Sequence, residues 1–423
     1  MRIAAPVAVN RPHTLNWLYP LGFLGIGFVD TLFTQWIVYL HAPPGTAHGA
    51  GAIGTVLLLS FLLQGLLNPV LGQLSDQLRH RRGRRLPLIL FGSLPMALLF
   101  YAIWQVKSFG ASLLLICLYG VLFVTVVQPY LALLPTIAPD PAQRVRYTLI
   151  GGIFSLSAAG AALIAGPWLL EFGSFGIFGL LGALALVMTV FVPALLMHEG
   201  PLPDPHPRSG NLFQPMLLAF KHRPLACFLL GNAGVILSIV SLTILAPFLC
   251  ETLLRQPRAY TSVMNLYAFG GVLAAVAYVG LRGKRLVFLR LLRNLACCVG
   301  LLLLGLAIGS FWLEWPLLLW QGGFVAIGAL VLVGMMAPNL ILAEFAQPEA
   351  NSAGHSREGV IFGLNGMAIS LANALASKTT SGLLGLGKSM TQPLGVQFGL
   401  LFAASTALLA VWALSMAGKQ KQD

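Results

Sequence analysis

Long apolar runs alternate with short polar ones along almost the whole chain. Runs near 15–40, 52–73, 86–104, 111–134, 149–169 and 176–197 are followed, after a polar stretch, by runs near 225–250, 262–281, 291–311, 315–342, 359–385 and 393–417. Each has about the 20 residues a helix needs to cross a hydrocarbon core. The pattern predicts an all-α polytopic membrane protein with twelve transmembrane helices. The interruption at 198–223, HEGPLPDPHPRSGNLFQPMLLAFKHR, is too polar to span and reads as a linker. It divides the chain into an N-terminal six-helix half, residues 1–197, and a C-terminal six-helix half, residues 224–423. GQLSDQLRHRRGRRLP follows the second run and YVGLRGKRLVFLRLLR the eighth, at corresponding places. Two basic loops so placed are what a duplicated, pseudo-symmetric half leaves behind.

Composition agrees and narrows the class. The hydrophobic set makes up 57% of the chain and charged residues only 9%, against about 25% charged in soluble domains. This excludes a water-soluble globule, a disordered chain and a nucleic-acid-binding domain. The net charge of +13 belongs to the loops: 20 of the 25 Lys and Arg fall on the side of the N-terminus. By the positive-inside rule both termini and the linker are expected in the cytoplasm, in a bacterial inner membrane. The basic N-terminal stretch runs into an apolar segment too long for a cleaved signal, so a retained first helix is expected. Cys117, Cys227, Cys250, Cys297 and Cys298 have no metal spacing, the eight His lie in loops or at helix ends, and GxxxxGK[ST] is absent. No metal, cofactor, nucleotide site or enzymatic activity is expected.

Polar residues inside the runs form stripes. Gly27, Asp30, Thr31 and Thr34 share one face of the first, and Ser60, Gln64, Asn68 and Gly72 one face of the second. Gly366, Ser370, Asn373 and Ser377 do the same in the eleventh, and Thr125 pairs with Gln128 in the fourth, Ser238 with Ser241 in the seventh. Such stripes must face the bundle interior. Helix packing accounts best for Gly27, Gly72, Gly366 and Ser377. Gln64, Asn68 and Gln128 divide evenly between packing and function. Asp30 reads as the one ionisable residue deep in a span, Lys378 being counted with the outer loops, and buried charge of that kind marks function. Tyr19, Phe23, Phe33, Trp36 and Tyr130 could stack on a sugar ring, although lipid-facing or interfacial positions fit most of them better.

The loop Gly72-Gln-Leu-Ser-Asp76-Gln-Leu-Arg79-His-Arg-Arg-Gly83-Arg84-Arg85-Leu-Pro87 resembles the cytoplasmic signature of the major facilitator superfamily. In that resemblance Gly72, Asp76, Gly83, Arg84 and Arg85 form a gate that latches the cytoplasmic ends of the halves. The Gly-Arg-Arg-x-Pro ending, Asp30, the stretch Gln128-Pro129-Tyr130 to Pro135-Thr136, and Arg357-Glu358-Gly359 to Gly363-Leu364-Asn365 resemble the glycoside–pentoside–hexuronide cation symporters. The resemblance covers essentially the whole chain. It implies two rocking halves around a central site, a small-molecule substrate and a monomer.

The chain also departs from that family. Its members carry two aspartates a helical turn apart in the second helix, where this sequence has Gln64 and Asn68. They carry a lysine twelve residues after the acid of the eleventh helix, where Ser370 stands, and a carboxylate late in the fourth, where Val126-Val127-Gln128 stands. Loss of both acids and the lysine together reads as a removed charge network, so Na⁺ coupling of the family's usual kind is not expected. The leading expectation is a secondary transporter of a sugar or glycoside by alternating access, with H⁺ on Asp30 as the coupling ion if one is used. Thr34, Gln64, Asn68, Gln128, Tyr130, Asn365, Ser370 and Asn373 are the candidate contacts. Two alternatives stay open: a carrier of a lysolipid-like amphiphile, and a non-transporting membrane sensor or assembly protein whose cavity is filled by its own aromatics.

Overall fold

The computed structural model describes residues 15–46, 49–78, 80, 82–106, 108–138, 140–199, 223–282, 287–313, 315–353 and 358–419, with the backbone alone at 69, 72–73, 75–77, 135, 141, 172, 343–353, 358–362 and 419. These form twelve helices and no strand. A 3₁₀ turn, Asn16–Leu21, leads into α1 (Gly22–His41), followed by α2 (Ala50–Gln77), α3 (Leu86–Ile103), α4 (Phe109–Ile137), α5 (Pro141–Phe172) and α6 (Gly176–Leu196). The second set is α7 (Arg223–Thr252), α8 (Tyr260–Arg282), α9 (Phe288–Gly309), α10 (Leu317–Ala353), α11 (Glu358–Leu384) and α12 (Leu394–Lys419). Among the described residues eleven, all but α11, are long and apolar enough to cross a membrane. The chain is a multi-pass integral membrane protein, as its hydropathy predicts. Most of the expected linker, residues 200–222, lies outside the described residues.

Helices pack in two six-membered sets. In the first, α1 lies against α5 and α6, and α4 against α2 and α3; in the second, α12 lies against α7 and α9, and α10 against α8 and α9. The sets meet along three lines: α2 with α11, α5 with α8, and α1 with α7. Large side chains such as Trp36, Phe100, Phe228 and Phe248 are buried at the internal contacts, while Leu66, Leu98, Leu281 and Leu318 point outward. In lipid that outward apolar surface costs nothing, and close packing of helices does the holding.

Local rules set the helix ends. Asp140 accepts a hydrogen bond from the Ala142 backbone N–H at 3.3 Å, capping α5, whose first residue is proline; such a start satisfies one orphan donor and needs no N–H at the next position. The connections fall on two faces. One, the terminal face, carries the start of α1, the end of α12 and the α2–α3 and α4–α5 connections. The other, the distal face, carries the α1–α2, α3–α4, α5–α6, α7–α8, α9–α10 and α11–α12 connections.

Candidate functional site

Asp30 sits at the middle of α1 and is solvent-exposed. Val29 before it and Leu32 two residues on are buried, and Thr31 between is half-buried. Open space therefore reaches its side chain inside the bundle. Thr34, one turn on, is half-buried with no hydrogen bond among the described residues. Tyr119 of α4 is close enough to sense the Asp30 charge, its ring meets Phe33 at 5.5 Å, and its buried hydroxyl has no partner among the described residues. Beside it, Gly120 lets α2 approach, where Gln64 Nε2 donates to Ser60 Oγ at 3.4 Å and Ser60 Oγ to the Ile116 carbonyl at 3.2 Å.

The amides of α2 reach the other half. Asn68 Nδ2 donates to Ser370 Oγ of α11 at 3.5 Å. These are two of the positions where the family resemblance leads one to expect an acid and a lysine, and the structure places a neutral pair there. The Asn68 and Asn373 side-chain oxygens are buried and unpartnered among the described residues, one on each side of the α2–α11 seam. Asn365 is committed within the second half: Asn232 Nδ2 of α7 donates to its Oδ1 at 2.9 Å. Gln128 is half-buried without a hydrogen bond among the described residues. Tyr130 is fully buried, stacked on Tyr19 with ring centroids 4.9 Å apart, and its hydroxyl donates to the Tyr19 carbonyl. Tyr19, Phe33 and Trp36 are likewise buried inside the protein, where apolar-surface reasoning favoured lipid.

From mid-span to the distal face the seam is sewn by polar contacts. Tyr39 of α1 donates to Glu251 Oε1 of α7 at 2.5 Å, beside the Tyr39–Phe248 ring pair at 5.3 Å. Arg258 pairs with Glu171 at 3.1 Å and donates to the Leu170 carbonyl at 2.9 Å. Asn265 of α8 donates to the Leu163 carbonyl of α5 at 2.7 Å. Lys378 lies inside α11, not in a loop, and donates to Thr55 Oγ1 of α2 at 2.6 Å. Lys388, in the α11–α12 connection, donates to the Ala42 carbonyl at 2.9 Å, and burial pulls its ammonium down from 10.5 to about 8. Gly54 fits α2 against Ser377 and Ser381 of α11, where a Cβ would stand 2.7 Å from the Ser381 Cβ.

The family model described as MFS/sugar transport protein matches residues 18–417. The chain belongs to this family. Its curated relatives match over shorter stretches. An uncharacterized Synechocystis symporter, sll1374, is 30% identical over 27% of this chain and 23% of its own length. The Escherichia coli inner membrane symporter YicJ is 35% identical over 27% and 26%, and YagG, provisionally named a glycoside/cation symporter of the same organism, 29% over 35% and 33%. The matched stretches thus cover a third or less of these relatives. Among solved structures, the nucleoside transporter NupG superposes with a TM-score of 0.64 at 14% identity, covering 96% of this chain and 99% of its own. A bacterial homologue of the human lysosomal transporter Spinster, inward-facing and occupied, gives 0.65 at 15%, covering 96% and 95%. The family and its neighbours are transporters, not enzymes.

The signature loop of this chain is held by an acid that belongs to no motif. Glu199, just past α6 and 7% exposed, accepts from the backbone N–H of Arg85 at 2.8 Å and of Leu86 at 3.4 Å, so it caps α3 from the segment that follows α6. Gly83 has φ +112°, and a Cβ there would sit 2.2 Å from Glu199 Oε2; only glycine suits both the turn and the carboxylate. Arg85 donates to the Ala132 carbonyl at the end of α4. Arg84 makes interactions as well. The side chain of Asp76 and the position of Gly72 fall outside the described side chains. Tyr119, Asn232, the Tyr39–Glu251 pair and Glu199 are absent from the sequence-derived candidates; the hydrogen-bond partners of the last three sets lie 113 to 212 residues away and carry no spacing signal.

Proposed function

We propose that the protein moves a small neutral polyhydroxy solute, a sugar or glycoside, by alternating access, with H⁺ and not Na⁺ as the coupling ion. The observation that carries this reading is the exposed Asp30 carboxylate in mid-span. Its access runs from the terminal face, since the distal seam is sewn shut. The excess of Lys and Arg on the terminal face makes that face the cytoplasmic one of a bacterial inner membrane, so the geometry is that of an inward-facing state. Residues 1–197 and 224–423 are the two rocking units, joined by the linker at 198–223.

Three features support the substrate class and the ion. Buried amide oxygens of Asn68 and Asn373 lack donors among the described residues, and sugar hydroxyls supply donors. Thr34, Gln64, Gln128 and Tyr119 offer further neutral polar groups on α1, α2 and α4, whereas Tyr130 and Asn365 serve as internal braces. The neutral Asn68–Ser370 pair removes the charges on which a Na⁺ site in α2 would depend. Among the described residues the aromatic contacts run mainly within α1–α6, with Tyr39–Phe248 crossing to α7, and leave Asp30 open; this weighs against a plugged, non-transporting relative.

Uptake of labelled mono- and disaccharides and glycosides into proteoliposomes tests the reading. A pH gradient is expected to drive accumulation, and Asp30→Asn to abolish it while leaving exchange at equal concentrations measurable. Accumulation driven by Na⁺ alone, or wild-type accumulation in Asp30→Asn, overturns the coupling. Uptake of lysolipids with silence across the sugar panel overturns the substrate class.

A further inference from the structure

On the outer side of the first half, away from the solute pathway, a cleft of about 330 Å³ runs between α3 and α6 toward the terminal face. One wall is a single stripe of α3, Pro87, Leu90, Phe91 and Leu94, at the spacing that places residues on one helix face. The other is Phe191, the last residue of a π turn, Val187–Phe191, that widens α6 at this level. Phe91 is 78% exposed. At the mouth, just before α3 begins, stand His80 and Arg82, both exposed. The Arg82 backbone N–H donates to His80 Nδ1 at 3.2 Å, which fixes the two side by side. Arg85 is tied down by the carbonyl and carboxylate described above, but the Arg82 guanidinium has no acidic partner among the described residues.

We propose that this cleft binds one anionic phospholipid, with the phosphodiester at His80 and Arg82 and an acyl chain along the α3 stripe. Charge and shape each limit the occupant. An aqueous solute would leave the apolar stripe unmatched. A zwitterionic lipid would give its phosphate to Arg82 but bring a cation into a loop already crowded with arginines. An anionic lipid satisfies both ends, and basic pockets at membrane-facing helix junctions select such headgroups. The loop that carries Gly83 and Arg85 would then be held from outside by lipid as well as from inside by Glu199.

Native mass spectrometry of the full-length protein, titrated with phosphatidylglycerol and phosphatidylcholine, tests this. The wild type should retain phosphatidylglycerol preferentially. Arg82→Gln should lower that retention about fivefold, the effect expected of one cation at the membrane surface. Leu94→Trp, which fills the outward-facing cleft without touching the loop, should lower it as well. Arg290→Gln, at an exposed arginine of α9 near the same face, should leave it unchanged, and inorganic phosphate should not compete. Equal losses in Arg82→Gln and Arg290→Gln would reduce the effect to general surface charge and overturn the proposal. Full retention in Leu94→Trp, or displacement by millimolar phosphate, overturns it too, the latter in favour of a simple anion site.

Discussion

The two ends of the molecule are held in different ways. At the distal face the polar contacts run between the halves: Tyr39 to Glu251, Arg258 to Glu171, Lys378 to Thr55 and Lys388 to the Ala42 carbonyl. At the terminal face the described contacts of the signature loop stay inside the first half, where Glu199 holds the backbone at Arg85 and Leu86 and Arg85 reaches the end of α4. The first kind must break and re-form if the halves rock; the second can persist through a cycle. Bonds that open need to be few and individually modest, because a minor state is populated only when it lies a few kcal/mol above the major one. The distal set fits that requirement: single hydrogen bonds, a half-exposed ion pair, and one lysine on a carbonyl.

The largest break in this contrast should come from sterics at the seam. Gly54→Val puts a branched side chain where a single Cβ already stands 2.7 Å from Ser381. The distal ends should be wedged apart, transport should fall more than tenfold, and Cys250, fully buried one residue before the seam acid Glu251, should become open to thiol reagents. Unchanged protection of Cys250, with the other four cysteines replaced by serine, would mean that the seam is not the moving part.

Next in size is the charged hydrogen bond. Tyr39 donates to a carboxylate, and bonds of that type contribute about 1.5–3 kcal/mol. Glu251→Gln or Tyr39→Phe should therefore raise Cys250 labelling roughly tenfold or more at fixed pH. The matching test at the other end is Glu199→Gln. It weakens the cap on α3 and should lower thermal stability by a comparable free energy, yet leave Cys250 protected. If both variants expose Cys250 equally, the division between gating and scaffold contacts fails.

How far the sequence foresees this architecture depends on the range of the interaction. Twelve helices and the side bearing most of the positive charge follow from hydropathy and loop charge, which are local properties. Asp30 stands out for the same reason: one charge in an apolar run is visible without a partner. Lys378 shows the limit. From sequence it joins the outer loops, but the helix continues past it and its ammonium reaches across to α2. Glu251 carries no signal at all near a helix end until Tyr39, 212 residues away, is seen against it. Asn68 and Ser370 are individually plain, and only their contact shows a neutral pair at positions where relatives are expected to be charged. Glu199 is hidden in a Pro-rich stretch that reads as linker.

Smaller still is the Arg258–Glu171 pair. Its side chains are 35% and 41% exposed, so water screens it and its contribution should stay below about 1 kcal/mol. Glu171→Gln, which leaves Arg258 on the Leu170 carbonyl, should raise Cys250 labelling only a few-fold, and 0.5 M salt should mimic it in the wild type while leaving the Tyr39–Glu251 effect largely intact. A salt-insensitive loss as large as that of Glu251→Gln would move the main seal from α1–α7 to α5 and the α7–α8 connection.

The weakest handle is pH acting on Lys388. In the closed seam the ammonium is desolvated against the Ala42 carbonyl and titrates near 8, down from 10.5. When the distal face opens, the lysine enters water and recovers the ordinary value. Between about pH 8 and 10.5 the open form therefore binds more protons, so raising pH through that window favours closure. Below pH 8 both forms are protonated and the lysine contributes a constant bias toward opening. Spin labels on Gly45→Cys and Met390→Cys, one on each side of the seam, should report a modest shift to the short distance between pH 7.5 and 10. Lys388→Met removes the titrating group and should flatten that response, with the short distance favoured throughout. A shift to the short distance that survives in Lys388→Met would remove Lys388 as its source and sink this account of the pH dependence.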